Sequence, residues 1–134
     1  MDELADSISL LNVALLVYLI VTKKFSVLLG VFLIMLLIDV IKNIIREPRP
    51  TDSINCNLLN TGGVSETFGM PSGHVAIITT ILILLDAHPA IIIPFVGLMI
   101  WSRVHKKCHT LSQSIAGAIF GVLFSLIFNL TSIK

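Results

Sequence analysis

Two histidines, a lysine and two arginines stand at the ends of apolar runs in this chain, in three short clusters: Lys42 with Arg49-Pro50, Pro71-Ser72-Gly73-His74, and Ser102-Arg103 with His109. Such side chains are costly beside hydrocarbon, so a small apolar chain that keeps them has a use for them. Their types point to an anion. An ammonium and guanidinium forks hold oxyanions. An imidazole can attack phosphorus or hand a proton to a leaving oxygen. Phosphate handled at a bilayer surface is the chemistry these residues suggest.

Each cluster also has a plainer reading. Pro48 and Pro50 bracket Arg49 and restrict the backbone around it, which would aim Arg49 and Lys42 at one anion. The same pair also fits a juxtamembrane basic anchor. Asp39, one helical turn before Lys42, can neutralise that lysine. Ser72 reads as the N-cap of an apolar helix whose free first-turn amides, with Gly73 leaving the approach open, form an anion cradle. His74 would project beside the bound group, or be an ordinary interfacial histidine. Arg103 supplies another guanidinium, and His109 opens the last apolar run, so that its ring can face His74. His105, Cys108 and His109 lack the carboxylate or second cysteine that would complete a metal set, so no metal is assigned. Lys106 and Lys107 read as headgroup-facing solvated charges.

The elements that carry these residues are set by composition. Of 134 residues 55% are hydrophobic and 13% charged, and the mean hydropathy is +0.98, which marks an integral membrane protein. The length allows one domain, residues 1–134. The reading is an all-α polytopic bundle of about five transmembrane helices over residues 8–21, 25–45, 74–85, 90–101 and 113–130, with one long loop at 46–70. The first run follows acidic residues rather than a basic segment, so it reads as a retained span and not a signal peptide. Ala116, Gly117 and Gly121 permit close helix contact in the last. Five crossings put all three clusters on one face, with the amino terminus. Lys23-Lys24, on the opposite face, place that site face in the lumen or exterior by the positive-inside rule, although Arg46, Arg49, Arg103, Lys106 and Lys107 count against it. Cys56 and Cys108 fall on the same side, where a single disulfide in an oxidising lumen is one of two open readings. Net charge is +1 and no basic tract is interleaved with aromatics, so nucleic-acid binding is not supported.

Order and spacing together resemble the type 2 phosphatidic acid phosphatase superfamily, whose pattern is Lys-x6-Arg-Pro, Pro-Ser-Gly-His and Ser-Arg-x5-His-x3-Asp. The match runs from Lys42 to His109. The resemblance implies a metal-independent phosphohydrolase without a cofactor, acting on a lipid phosphate such as phosphatidate or a polyprenyl diphosphate in the bilayer. Lys42, Arg49, Ser72, Gly73 and Arg103 would hold the phosphate. His109 would form a phosphohistidine and His74 would protonate the leaving group. Gln113 stands where the family has an aspartate. Its amide oxygen is expected to accept the imidazole N–H without supplying the charge, which slows the chemistry. The alternative is a catalytically weak or silent relative that binds headgroups or scaffolds membrane proteins. Membrane relatives usually have six spans, and the resemblance is expected to align the five read here with the family's later five.

Overall fold

A computed structural model describes residues 2–51, 53, 56 and 68–131. Its helices are α1 (Asp2–Ser9), α2 (Leu11–Val21), α3 (Phe25–Ile45), α4 (Gly73–Leu84), α5 (Pro89–His105) and α6 (Leu111–Leu130). Helical hydrogen bonds run through Leu10, from its N–H to Asp6 O and from Ala14 N–H to Leu10 O, both 3.2 Å. α1 and α2 are therefore one rod, and the bundle has five. The described residues contain no strand. Of the expected loop, residues 52, 54–55 and 57–67 lie outside the described set.

Two boundaries differ most from expectation. The first rod starts at Asp2 rather than residue 8, because its acidic first turn suits a helix N-terminus and packs on the end of α5. α5 continues past residue 101 to His105, so Arg103 is a helical residue. Three helices, Asp2–Val21, Phe25–Ile45 and Leu111–Leu130, are long and apolar enough to cross a membrane. α4 and α5 are apolar but shorter, and the 12 residues of α4 reach only roughly 18 Å at the helical rise.

α4 is the central helix. Every residue from His74 to Leu82 is buried, and the helix packs on α2, α3, α5 and α6. An apolar helix covered on all sides needs no polar face. Its closest neighbour is α6, which approaches through Gly117 and Gly121. A Cβ at Gly117 would collide with the Ser72 carbonyl, and one at Gly121 would lie 2.9 Å from the Ala76 carbonyl. Small residues at this spacing let two backbones meet, so α6 sits directly against the start of α4.

Polarity runs outward from wet to greasy. Ser9, Asn12, Thr79, Thr80, Gln113, Ser114 and Ser125 are buried, while Phe25, Phe32, Val40, Ile44, Leu123, Ile127 and Leu130 are exposed. That is the distribution of a lipid-facing bundle, with polar residues turned inward, although Thr80 Oγ1 and Ser114 Oγ have no partner among the described residues.

Candidate active site

The site is assembled at one end of the bundle from three helix ends and the segments that return over them. Lys42 occupies the last turn of α3. Arg46 ends that helix in the left-handed region at φ 56°, with its N–H on the Lys42 carbonyl, and so reverses the chain toward Arg49. A non-glycine residue there costs on the order of 1 kcal/mol, offset by the contacts the reversal permits. Arg49 Nη1 then lies 3.1 Å from the Cys108 carbonyl and 3.1 Å from His109 Nε2.

Ser72 is the N-cap of α4, as its sequence position suggests, with Oγ accepting from Val75 N–H at 3.4 Å. Its own N–H donates to the Gln113 carbonyl at 3.0 Å. Gly73 opens the helix beside Lys42: a Cβ there would be 3.9 Å from Nζ. His74 is buried, and its Nε2 has no partner among the described residues.

Arg103 is fully buried on α5. Nη1 donates to Ser9 Oγ and Nη2 to the Cys56 carbonyl, each at 3.0 Å, while Nε has no partner among the described residues. After α5 the chain reverses at Lys107, φ 60°, and Cys108 joins Cys56 in a disulfide with Cα atoms 5.6 Å apart. This closes the question of pairing and removes Cys108 from any ligand set. The two N–H groups of Cys108 and His109 both point back to the Arg103 carbonyl, at 3.1 and 3.3 Å. His109 is thereby held just before α6.

The hydrogen bonds of His109 define its tautomer. A guanidinium only donates, so Nε2 accepts from Arg49; a carbonyl only accepts, so Nδ1 carries the proton and donates to Gly69 O at 2.9 Å. Burial, with Arg49, Arg103 and Lys42 nearby, pushes the His109 pKa well below the usual histidine range, and the Gly69 bond opposes this. Burial also lowers Arg49, to about 10, which leaves it charged at neutral pH. The neutral ring presents an Nε2 lone pair toward a cluster of cations. Such a ring can attack an electrophile that those cations hold.

The expected contact between Gln113 and His109 is not made. Gln113 Oε1 accepts from Thr110 N–H at 3.1 Å, and Nε2 donates to Glu47 Oε1 at 2.7 Å and to the Pro48 carbonyl at 3.0 Å. The reason is position. Gln113 is the third residue of α6, where its side chain folds back in a capping box with Thr110. The Thr110-x-x-Gln113 spacing was the signal for this. Lys106 also departs from expectation: it pairs with Asp6 at 2.8 Å and its side chain is 9% exposed, because α1 lays its acidic turn across the end of α5. His105 meets Asp2 at 2.8 Å in the same way.

The motifs did not reveal four residues. Ser9 bonds Arg103 and Ser102, Asn12 Nδ2 donates to the His74 carbonyl at 3.0 Å, and Glu47 and Gly69 meet through Gly69 N–H on the Glu47 carbonyl at 2.8 Å. Ser9 and Asn12 are polar residues three apart in an otherwise apolar stretch, which was the available sign of an inward face. All the residues expected to bind phosphate lie at this end of the bundle: Lys42, Arg49, Ser72, Gly73 and Arg103. So do His74 and His109.

The family model for the PAP2 superfamily matches residues 23–133. No curated protein and no solved structure matches the chain. The match takes in all three clusters and every helix from α3 onward, and the chain belongs to the PAP2 superfamily, the type 2 phosphatidic acid phosphatase superfamily.

Proposed function

We propose that this protein is a membrane-embedded phosphatase that hydrolyses a phosphomonoester or diphosphate of a lipid through a phosphohistidine on His109. Family membership supports phosphatase chemistry on phosphoesters at the coarse level. The observation that carries the finer reading is the state of His109, with Nδ1–H on Gly69 O and the Nε2 lone pair beside Arg49.

In the proposed reaction, Lys42, Arg49, Arg103 and the first amides of α4 hold the phosphoryl oxygens and offset charge as it builds. Arg49 turns its N–H from His109 Nε2 to a phosphoryl oxygen, the freed Nε2 lone pair attacks phosphorus, the bond from phosphorus to the leaving oxygen breaks, and His74 gives that oxygen a proton. Water then attacks the phosphohistidine. His74 takes a proton from the water, the nitrogen–phosphorus bond breaks, and free histidine and phosphate return. The cations supply the electrostatic stabilisation, so no metal enters the scheme.

A lipid substrate is supported by the crevice between α3 and α4. It runs from apolar Met35, Ile38 and Ile77 to Asp39, Lys42 and Gly73, so an acyl or prenyl tail can remain beside hydrocarbon while the headgroup meets the cations. The site face is assigned to the extracytoplasmic or lumenal side, supported by a disulfide at that end, since such bonds persist in oxidising compartments. Purified protein in detergent should release phosphate from phosphatidate or a polyprenyl diphosphate in EDTA. A base-quenched reaction with labelled substrate should leave the label on His109. Lipid-phosphate binding with no turnover and no label would identify a silent binder instead.

A further inference from the structure

Gln113 holds the place of the family's aspartate but spends its side chain elsewhere, and His109 Nδ1 donates to a backbone carbonyl. We propose that the Gly69 carbonyl, clamped by Gln113 and Glu47, takes over from the missing carboxylate the task of orienting the imidazole, so that Gln113 is a positioning residue rather than a defect. This deepens the proposed function and rests on His109 being the nucleophile.

Gly69 N–H is bound to the Glu47 carbonyl at 2.8 Å. The Gln113 amide lies flat against the Gly69 α-carbon: a Cβ at residue 69 would be 2.5 Å from Gln113 Oε1 and 2.8 Å from Cδ and Nε2. Gln113 is fully buried, and both ends of its amide are pinned, Oε1 by Thr110 N–H and Nε2 by Glu47 Oε1 and the Pro48 carbonyl. Those two acceptors use both amide protons. Its own carbonyl receives Ser72 N–H at 3.0 Å, so one residue ties the α6 cap, the 47–48 segment, Gly69 and the α4 cap together. A glycine at 69 is required by this packing, since any side chain there would displace the amide that supports it.

The chemistry follows from the acceptor. A carbonyl has no proton to give and takes none, so Nδ1 keeps its hydrogen while Nε2 attacks phosphorus and again when the nitrogen–phosphorus bond breaks. The orientation of a carboxylate partner is retained without its charge. Aspartate at 113 would not restore the family site. It has no N–H to give to Glu47 or Pro48, and it would set a second carboxylate beside that of Glu47, which repels it.

The test reads the tautomer directly. Full-length protein in nanodiscs, labelled with ring-¹⁵N histidine, should show His109 as a single Nδ1–H tautomer near neutral pH, its signals assigned by their loss in His109→Gln. Gln113→Leu and Gly69→Ala should each give a mixture of tautomers, with kcat reduced roughly 10- to 100-fold, the range for loss of an orienting partner, and KM changed less than about threefold. Gln113→Asp should also lose kcat. Glu47→Ala removes the Oε1 acceptor of Gln113 Nε2 and keeps the backbone carbonyl that holds Gly69 N–H, so it should loosen the tautomer as well, but less than Gln113→Leu. The proposal is overturned by Gln113→Asp equal to or faster than wild type, or by an unaltered single tautomer in Glu47→Ala and Gln113→Leu. Absence of the base-stable label from wild type overturns the nucleophile reading instead, and the ring measurement, which needs no turnover, still decides the clamp.

Discussion

His74 and His109 share one end of the bundle and use their rings in opposite ways. His109 lies between α5 and α6 and has both ring nitrogens engaged, one with Gly69 and one with Arg49. His74 rides on the covered central helix, and its Nε2 has no partner among the described residues. A nucleophile needs one lone pair held on line, and a proton carrier needs a nitrogen left for the substrate. The difference teaches that segments between helices can hold a ring as firmly as a helix does when enough contacts from distant residues converge on them.

That contrast can be tested by removing each ring. His109→Ala should lower phosphate release by at least about 10³-fold, as loss of a nucleophile does, and leave no labelled intermediate; turnover that survives the substitution would falsify the proposed mechanism. His74→Ala should cost less, roughly 10²-fold on lipid substrates, the low end for loss of a proton donor. Its defect should shrink for an aryl phosphate, whose leaving oxygen needs no proton, and an equal defect on both substrates would deny His74 the acid role.

The firmness of the His109 side depends on the Cys56–Cys108 disulfide. Arg49 donates to the Cys108 carbonyl and Arg103 to the Cys56 carbonyl, so the crosslink anchors both guanidinium groups. Cys56→Ser should destabilise the fold by about 2–5 kcal/mol and raise KM more than it lowers kcat. Thermal unfolding and steady-state kinetics in detergent check this. A variant with wild-type KM would show that the arginines are held without the crosslink.

The smallest expected effect is in pH dependence. The buried His109 ring resists protonation because of burial and the cations Arg49, Arg103 and Lys42. An unfolded ring takes a proton near pH ~6.5, whereas the folded one stays neutral below that value. The contribution to stability is therefore absent above about pH 6.5 and becomes increasingly unfavourable as pH falls through that value. Activity should persist into the same acidic window, so the acid limb of kcat/KM is expected below pH ~6.5. Arg49→Met should move that limb upward by removing a neighbouring cation. An acid limb above pH 7 in wild type would contradict the neutral, cation-facing ring.

The amino-acid sequence alone carried the membrane class, the all-α bundle, the three clusters and the Ser72 cap, because each depends on composition or on residues a few positions apart. Apolar length marked the α3 span at Phe25–Ile45. The resemblance to the family placed Gln113 against His109, and there it failed: Gln113 lies in the first turn of α6, just after His109, and the capping box claimed its side chain. Tertiary structure settled what local spacing could not. Gly69 comes to His109 across 40 residues, Ser9 to Arg103 across 94, and Asp6 to Lys106 across the end of the bundle. Nothing in a side-chain pattern marks a backbone carbonyl as a partner, because every residue has one and only packing decides which of them meets the ring.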